Sequence, residues 1–321
     1  MSEVMYEGKK YKTTKTFQRY DFKSVPLKTF QLRDMGIRSF DELEGLLDIR
    51  DLQFLDLFGN NISTLSGLEE LRNLKMLYVG NQISKIKGLE GLTDLTHLAL
   101  GNKISQIEGL DKLINLTHLT LGRNISEINN LDNLPSLTSL DLSFNKISEI
   151  NNLDKLINLE CLDLNGNIIL EIKGLDKLKK LRRLSLNLNR ISEIKGLESL
   201  NNLYDLDLFA NNISEISGLD KVKNLGSLNL ATNKIKEVKG FEELMNLWSL
   251  NLSDNNITEI KGLDSLKTAQ ELNLCENQIS SLKGIEVFYG SNCKVLLFGN
   301  PLPEGSLEGV KDKVDIGAEW L

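Results

Sequence analysis

Few side chains in this sequence could do chemistry. His97 and His118 are the only histidines, and Cys161, Cys275 and Cys293 the only cysteines, in 321 residues. Imidazole and thiolate are the usual zinc ligands, but a site needs three or four of them, at about 2.0–2.3 Å from the ion. Three scattered cysteines also fall short of a disulfide framework. No Gly-rich phosphate loop, Gly-x-Ser-x-Gly elbow or metal-spaced His/Cys cluster occurs. Asp residues are plentiful but scattered, without the enclosed, low-dielectric pocket that would tune them for proton transfer. The chain reads as a non-enzyme without a cofactor or metal. Whether His97, His118 and Cys161 meet at all depends on the elements that carry them, and a repeat sets those elements.

Residues 52–71 read L-x-x-L-x-L-x-x-N-x-I-x-x-L-x-x-L-x-x-L, and the pattern recurs almost to the C-terminus. One isoleucine marks each copy: Ile62, Ile83, Ile104, Ile125, Ile147, Ile169, Ile191, Ile213, Ile235, Ile257 and Ile279. Successive marks are 21 residues apart three times and then 22 residues apart. Such a fixed period is the mark of a solenoid. Leu-x-Leu, as in Leu140-Asp141-Leu142, is a short strand that buries its leucines and exposes the residue between them. Stacked copies therefore make a parallel sheet. An Asn follows at 60, 81, 102, 145, 167, 189, 211, 233, 255, 277 and 300. A buried column of amides, which both donate and accept, satisfies turn backbone that lacks a ladder partner. A third column holds Gly67, Gly88, Gly109, Gly174, Gly196, Gly218, Gly240, Gly262 and Gly284, with Asn130 and Asn152 as the only substitutes. Gly replaced only by Asn predicts a positive-φ backbone position.

The motif LxxLxLxxNxIxxIxGL, over about residues 30–302, resembles the short 22-residue class of leucine-rich repeats. That class includes the regulatory subunit of type-1 protein phosphatase, and bacterial internalins resemble it too. The resemblance implies an α/β solenoid: a horseshoe with a parallel sheet on its concave face and short 3-10 or irregular segments on its convex face. Internalins would add a signal peptide and a wall anchor, and neither is expected here. Unrelated binders share the scaffold, so the resemblance alone names no partner.

Three segments are expected. Residues 1–29 form an N-terminal cap, with a hairpin around Gly8-Lys9. Residues 30–302 hold about eleven full copies, with an atypical one at the start (Met35 in the Asn slot, Glu42 in the Gly slot) and a partial one at the end. Residues 303–321 form a C-terminal cap, in which Val310, Val314, Ile316 and Trp320 fold over the last coil. Tyr6, Tyr11, Phe17, Tyr20 and Phe22 interleave with basic residues in the first segment, which suits a lid better than a basic binding arm. Three consecutive copies lose one residue after the strand, at Val79-Gly80-Asn81, Leu100-Gly101-Asn102 and Leu121-Gly122-Arg123-Asn124, and a local change of curvature is expected there.

The outward positions of the strands form the binding face that solenoids generally use. Phe54, Phe58, Met76 and Tyr78 form an apolar cluster that this register leaves exposed unless a terminal cap folds over it. Tyr204, Asp205, Asp207, Phe209 and Trp248 mix aromatics with carboxylates over three coils. Aromatic anchors and an exposed apolar cluster both point to an interface. His97 and His118 share a column on adjacent strands, about 4.8 Å apart, with Cys161 roughly 9.6 Å beyond His118, so a metal site is not expected and a polar surface is. On the other side, Glu127, Glu149, Glu171, Glu193, Glu215, Glu237 and Glu259 stack beside Lys173, Lys195, Lys239, Lys261 and Lys283 as a solvated outer face.

The net charge of −7, from 38 basic and 45 acidic residues, lacks the cationic excess of a nucleic-acid binder. No stretch is long and apolar enough to span a membrane. The N-terminus has no signal-peptide core. The expectation is a monomeric cytoplasmic scaffold that binds a protein partner with a basic surface on its concave face. The alternatives are a regulatory subunit of a phosphatase-like enzyme and a self-assembling structural repeat. A carbohydrate or small-ligand binder is a further class, for which a shallow face offers no obvious pocket.

Overall fold

The computed structural model describes residues 2–20, 23–80, 82–266, 268–310 and 312–316. The chain divides into two compact units, Met1–Ile147 with Lys155–Leu159, and Ser148–Asp154 with Glu160–Leu321. Each is a parallel β-sheet solenoid.

The first unit opens on an antiparallel hairpin of β1 (Glu3–Tyr6) and β2 (Lys9–Lys12). Its tight turn is Glu7-Gly8, with φ of 47° and 72°, rather than the expected Gly8-Lys9. Two-residue hairpin turns of this kind need positive φ at both central positions, and the glycine supplies the second. A second antiparallel hairpin, β3 (Thr14–Tyr20) and β4 (Lys23–Gln31), follows. Sequence reading did not anticipate it, because these residues read as polar and basic without clean alternation. β4 then pairs in parallel with β5 (Phe54–Leu57), the first strand of the repeats. After it come β6 (Met76–Val79), β7 (His97–Ile104), β8 (His118–Arg123) and β9 (Ser139–Asp141), each parallel to the one before.

The second unit contains β10 (Cys161–Asp163), β11 (Arg183–Ser185), β12 (Asp205–Asp207), β13 (Ser227–Asn229), β14 (Ser249–Asn251), β15 (Glu271–Asn273), β16 (Lys294–Leu296) and β17 (Asp315–Ile316). All are parallel and in unbroken register. Trp320 and the sequence Asn81 lie outside the described residues, as do Phe22 and the side chains of Phe17, Tyr20 and Asn102. Among the described residues, helix is limited to short 3-10 stretches at Phe40–Glu42, Ile285–Phe288 and Ser306–Gly309. No helix among them is long and apolar enough to cross a membrane.

Three columns account for the coil. The strand leucines and the Ile and Leu that follow are fully buried, at about 1.5–3 kcal/mol for each side chain removed from water. The Asn column forms a ladder between coils. The Asn189 Oδ1 accepts the Ile169 N–H at 2.9 Å, and its Nδ2 donates to the Leu164 and Leu186 carbonyls, both at 3.0 Å. Asn60 does the same at the start of the repeats, taking the Met35 and Ile37 N–H groups at 3.0 and 3.1 Å. The Gly column has positive φ throughout, and Asn130 and Asn152 sit at 53° and 55°. Space matters there as well as φ. A Cβ at Gly196 would stand 2.3 Å from the Ile172 carbonyl oxygen. Asn130 meets the corresponding oxygen, that of Ile107, by donating to it at 2.7 Å.

A second positive-φ column, directly before the ladder Asn, holds Gly59, Phe144, Gly166, Leu188, Ala210, Thr232, Asp254, Glu276 and Gly299. In the β7 and β8 copies, one residue shorter, no positive-φ residue stands in this slot among the described residues, and the strands run on with a register shift between Leu100 and Ile104. On the outer side, Lys173 pairs with Glu149 at 3.3 Å, Lys195 with Glu193 at 3.1 Å and Lys239 with Glu215 at 2.5 Å.

Candidate binding surfaces

The strand register sets the outward columns in the second unit. The first reads Cys161, Arg183, Asp205, Ser227, Ser249 and Glu271, and the middle one Asp163, Ser185, Asp207, Asn229, Asn251 and Asn273. These match the columns read from sequence. The middle column has a duty that sequence reading missed. The Asp207 carboxylate accepts the Phe209 N–H at 3.0 Å, and Asp163, Asn229, Asn251 and Asn273 accept the N–H two residues on in the same way. Asp141 does so in the first unit, at 2.9 Å. Such Asx turns tie the strand end to the following turn. The signal was available: the 22-residue copies carry Asp, Asn or Ser here, and the shorter ones carry Tyr78, Ala99 and Thr120.

In the first unit the expected exposed cluster is largely covered. Phe54 and Met76 are buried against Leu27 of β4, and Tyr78 packs on them with its ring 5.1 Å from that of Phe54, edge-on. The expectation that all four were exposed is corrected. β4, unseen in the sequence, lays an apolar side chain over the first strands, and Phe58 alone stays well exposed. Asp56 is wholly buried there and paired with Arg33, whose Nε donates to it at 2.6 Å.

His97 is buried and His118 exposed, with their rings stacked at 4.1 Å and an angle of 12°. Thr96 and Thr117 sit at 2.9 and 3.0 Å from the respective Nδ1 atoms. A shared ion would have to lie about 2.0–2.1 Å from a nitrogen of each ring, in the plane of both. Parallel stacked rings offer no such point. Burial, and then the neighbouring His118, push the His97 pKa down to about 4.

The second expected patch divides in two. Asp205, Asp207 and Phe209 alternate along β12 and its extension on the outward face. Tyr204 and Trp248 belong to the column just before the strands, at the sheet edge. Main-chain bonds fix the order of that column, since Gly226 N–H donates to the Tyr204 carbonyl at 2.8 Å and Trp248 N–H to the Gly226 carbonyl at 2.9 Å. Five residues of strand separate Tyr204 from Phe209, roughly 16 Å at about 3.3 Å per residue. One small partner element does not touch all five. Asp205 is held at a raised pKa, mainly by burial, with the Ser227 hydroxyl opposing the shift. Asp207 also accepts the Asn187 Nδ2 at 2.7 Å, so much of its acceptor capacity is committed internally.

At the edge, the Trp248 Nε1 donates to the Tyr204 Oη at 2.9 Å, and the two rings meet above Gly226. They border an open groove of about 640 Å³, with Glu160, Lys180 and Arg182 at one end and Asn202, Asn224 and Asn246 along its side. Among the described residues, no group of three or more His, Cys, Asp or Glu side chains is placed to hold a metal ion.

A family model for leucine-rich repeats matches residues 50–91, 72–112 and 135–177. The chain carries leucine-rich repeats. Among solved structures, the repeat resembles an internalin, InlF, from Listeria monocytogenes, with 26% identity over 93% of this chain and 91% of that one and a TM-score of 0.79. A leucine-rich-repeat protein from Leptospira interrogans is 23% identical over 88% of this chain and 87% of that one, with a TM-score of 0.67. The ectodomain of the plant membrane receptor kinase GASSHO1/SCHENGEN3 from Arabidopsis thaliana, solved in complex with CASPARIAN STRIP INTEGRITY FACTOR 2, is 22% identical over 85% of this chain and 37% of that one, with a TM-score of 0.60. None of the curated protein sequences matches this one. The repeats thus share the fold of these proteins.

Proposed function

We propose that this chain is a binding scaffold without catalytic chemistry, and that it takes a protein partner on the outward sheet face of its second unit. The observation that carries the reading is the half-buried Asp205, set beside Arg183 and Ser227 on an otherwise open face, with Phe209 half-exposed farther along the same strand. A carboxylate kept partly desolvated on a surface is poised to pair with a cation, and an aromatic farther along the same face adds apolar contact. The partner presents Lys or Arg to this face. In the same reading, residues 1–29 and 303–321 close the two ends of the repeats at 30–302, and the chain works as a monomer.

Capture of the partner on the immobilised chain, followed by affinity measurement for two double variants, tests this. Asp205→Asn with Phe209→Ala should weaken binding by about 2 kcal/mol or more. Glu215→Ala with Glu237→Ala, on the outer side, should leave it unchanged. The opposite pattern sinks the sheet-face reading, and concentration-dependent self-association without a captured partner favours a structural role.

A further inference from the structure

We infer that the groove at the sheet edge is a carbohydrate site, built on the Tyr204–Trp248 ring pair and independent of the sheet-face reading. The column that holds the pair is ordinary elsewhere. In the first unit it carries Thr96, Thr117 and Thr138, each with its hydroxyl donated to the carbonyl one coil back at 3.0, 2.9 and 3.1 Å. In the second unit the same column turns to Arg182, Tyr204, Gly226 and Trp248, where the arginine and the two rings reach solvent and the glycine between the rings is buried. Gly226 is explained by space alone. Its φ is not positive, and a Cβ there would stand 2.6 Å from Tyr204 Cε2 and 2.8 Å from Trp248 Nε1. Glycine is what lets rings two coils apart close into one strip, about 10 Å across three strands. The strip stays open, with Tyr204 45% and Trp248 37% exposed.

The polar wall says what the strip is for. Asn202, Asn224 and Asn246 each donate Nδ2 to a carbonyl of the preceding coil, those of Lys179, Asn201 and Lys223, at 2.7, 2.7 and 3.1 Å. The same bond recurs at Asn73, Asn115 and Asn158, so the scaffold itself supplies one fixed amide per coil, and beside the ring pair these amides line the groove with Oδ1 acceptors. Lys180 and Arg182 supply donors at the end of the same groove. A ligand that fits has a weakly positive C–H face for the electron-rich rings and hydroxyls at its rim that both donate and accept. A pyranose chain has both. A nucleic-acid strand would set phosphates against the acceptor row and Glu160, in a chain of net charge −7. A peptide offers such a face only through isolated side chains such as proline rings, without a rim of hydroxyls for the amide row.

The chain has two tryptophans, so Trp320→Phe makes Trp248 the sole emitter. That protein is titrated with soluble cello-, chito-, manno- and uronic-acid oligosaccharides, with poly(U) RNA, and with a Lys-rich peptide. At least one sugar series should change Trp248 emission saturably, and calorimetry should show Gly226→Ala and Trp248→Ala weakening it about ten-fold or more. Gly226→Ala should unfold at the parent's urea midpoint, since only side-chain ends must move, and Phe209→Ala should bind sugar normally. A saturable response to RNA or peptide but to no sugar overturns the assignment. So does the absence of any response, or sugar binding that both groove variants retain.

Discussion

Truncating Asn189 to Ala separates the amide ladder from general packing. Its Oδ1 takes the Ile169 N–H at 2.9 Å, and its Nδ2 serves the Leu164 and Leu186 carbonyls at 3.0 Å. Both carbonyls have a second amide, Asn167 on Leu164 at 3.0 Å and Asn211 on Leu186 at 2.9 Å. The Ala variant therefore orphans one group, the Ile169 N–H. One unsatisfied buried donor costs about 1–3 kcal/mol, and the small void left by the amide adds to it, so a loss of about 2–3 kcal/mol is expected. Asn189→Asp keeps the acceptor but turns a buried carboxylate toward two carbonyl oxygens, and at neutral pH it should lose more than Ala. The folded pKa of that new acid lies above its unfolded value, so the native state binds the proton more tightly. The Asp variant should then recover as pH falls through that folded pKa, because the proton restores a donor. Urea midpoints at a series of pH values read all of this. The matched control is Glu193→Ala, on the exposed outer face, which should stay within about 0.5 kcal/mol of the parent. If Asn189→Ala unfolds with the control, or the Asp variant shows no pH dependence, the amides do not hold the turns.

Gly196→Asn should lose less than Gly196→Val: both place a Cβ 2.3 Å from the Ile172 carbonyl oxygen, but Asn takes this slot at φ 53° in the Asn130 copy, whereas Val adds a β-branch at positive φ and should lose about 3 kcal/mol or more. Thermal unfolding distinguishes the two, and equal losses would mean that space rather than φ decides. Thr232, β-branched at φ 55°, should gain stability of about 1 kcal/mol on replacement by Asn, and a loss would refute strain there. His97 is neutral in the fold down to about pH 4, against an ordinary 6.5. Its contribution is complete above the unfolded value and is lost as pH falls from about 6.5 toward 4, so His97→Gln should flatten the acid limb of the stability profile over that window.

The fold was legible because its period is written in buried residues. The marker isoleucines, the ladder Asn and the Gly/Asn slot all face a packed interior, where few residue types fit. The second positive-φ turn was not legible, since its occupants point to solvent. Phe144, Leu188 and Glu276 tolerate the left-handed region at a modest cost of about 1–2 kcal/mol, and nothing restricts the slot to glycine. β4 escaped for a different reason. It carries no repeat, yet its Leu27 buries Phe54 and Met76, which moved an apparent binding cluster into the core. Gly226 looked like any surface residue, because its meaning lies in side chains 22 positions to either side.

The two kinds of column divide the work on the open face. The middle outward column is tied to the turns by Asx bonds in the 22-residue copies, so Asp207 is held in place by its own backbone partners. It adds negative charge to the face, but a change there also loosens a turn. The first outward column and the edge column carry no such obligation in the second unit. Variation there leaves the coil intact, and Arg183, Asp205, Tyr204, Gly226 and Trp248 all fall in those two columns. A repeat protein gains specificity where its scaffold makes no demand on the residue. Substitutions in the middle column should therefore change stability and binding together, whereas those in the first and edge columns should change binding alone.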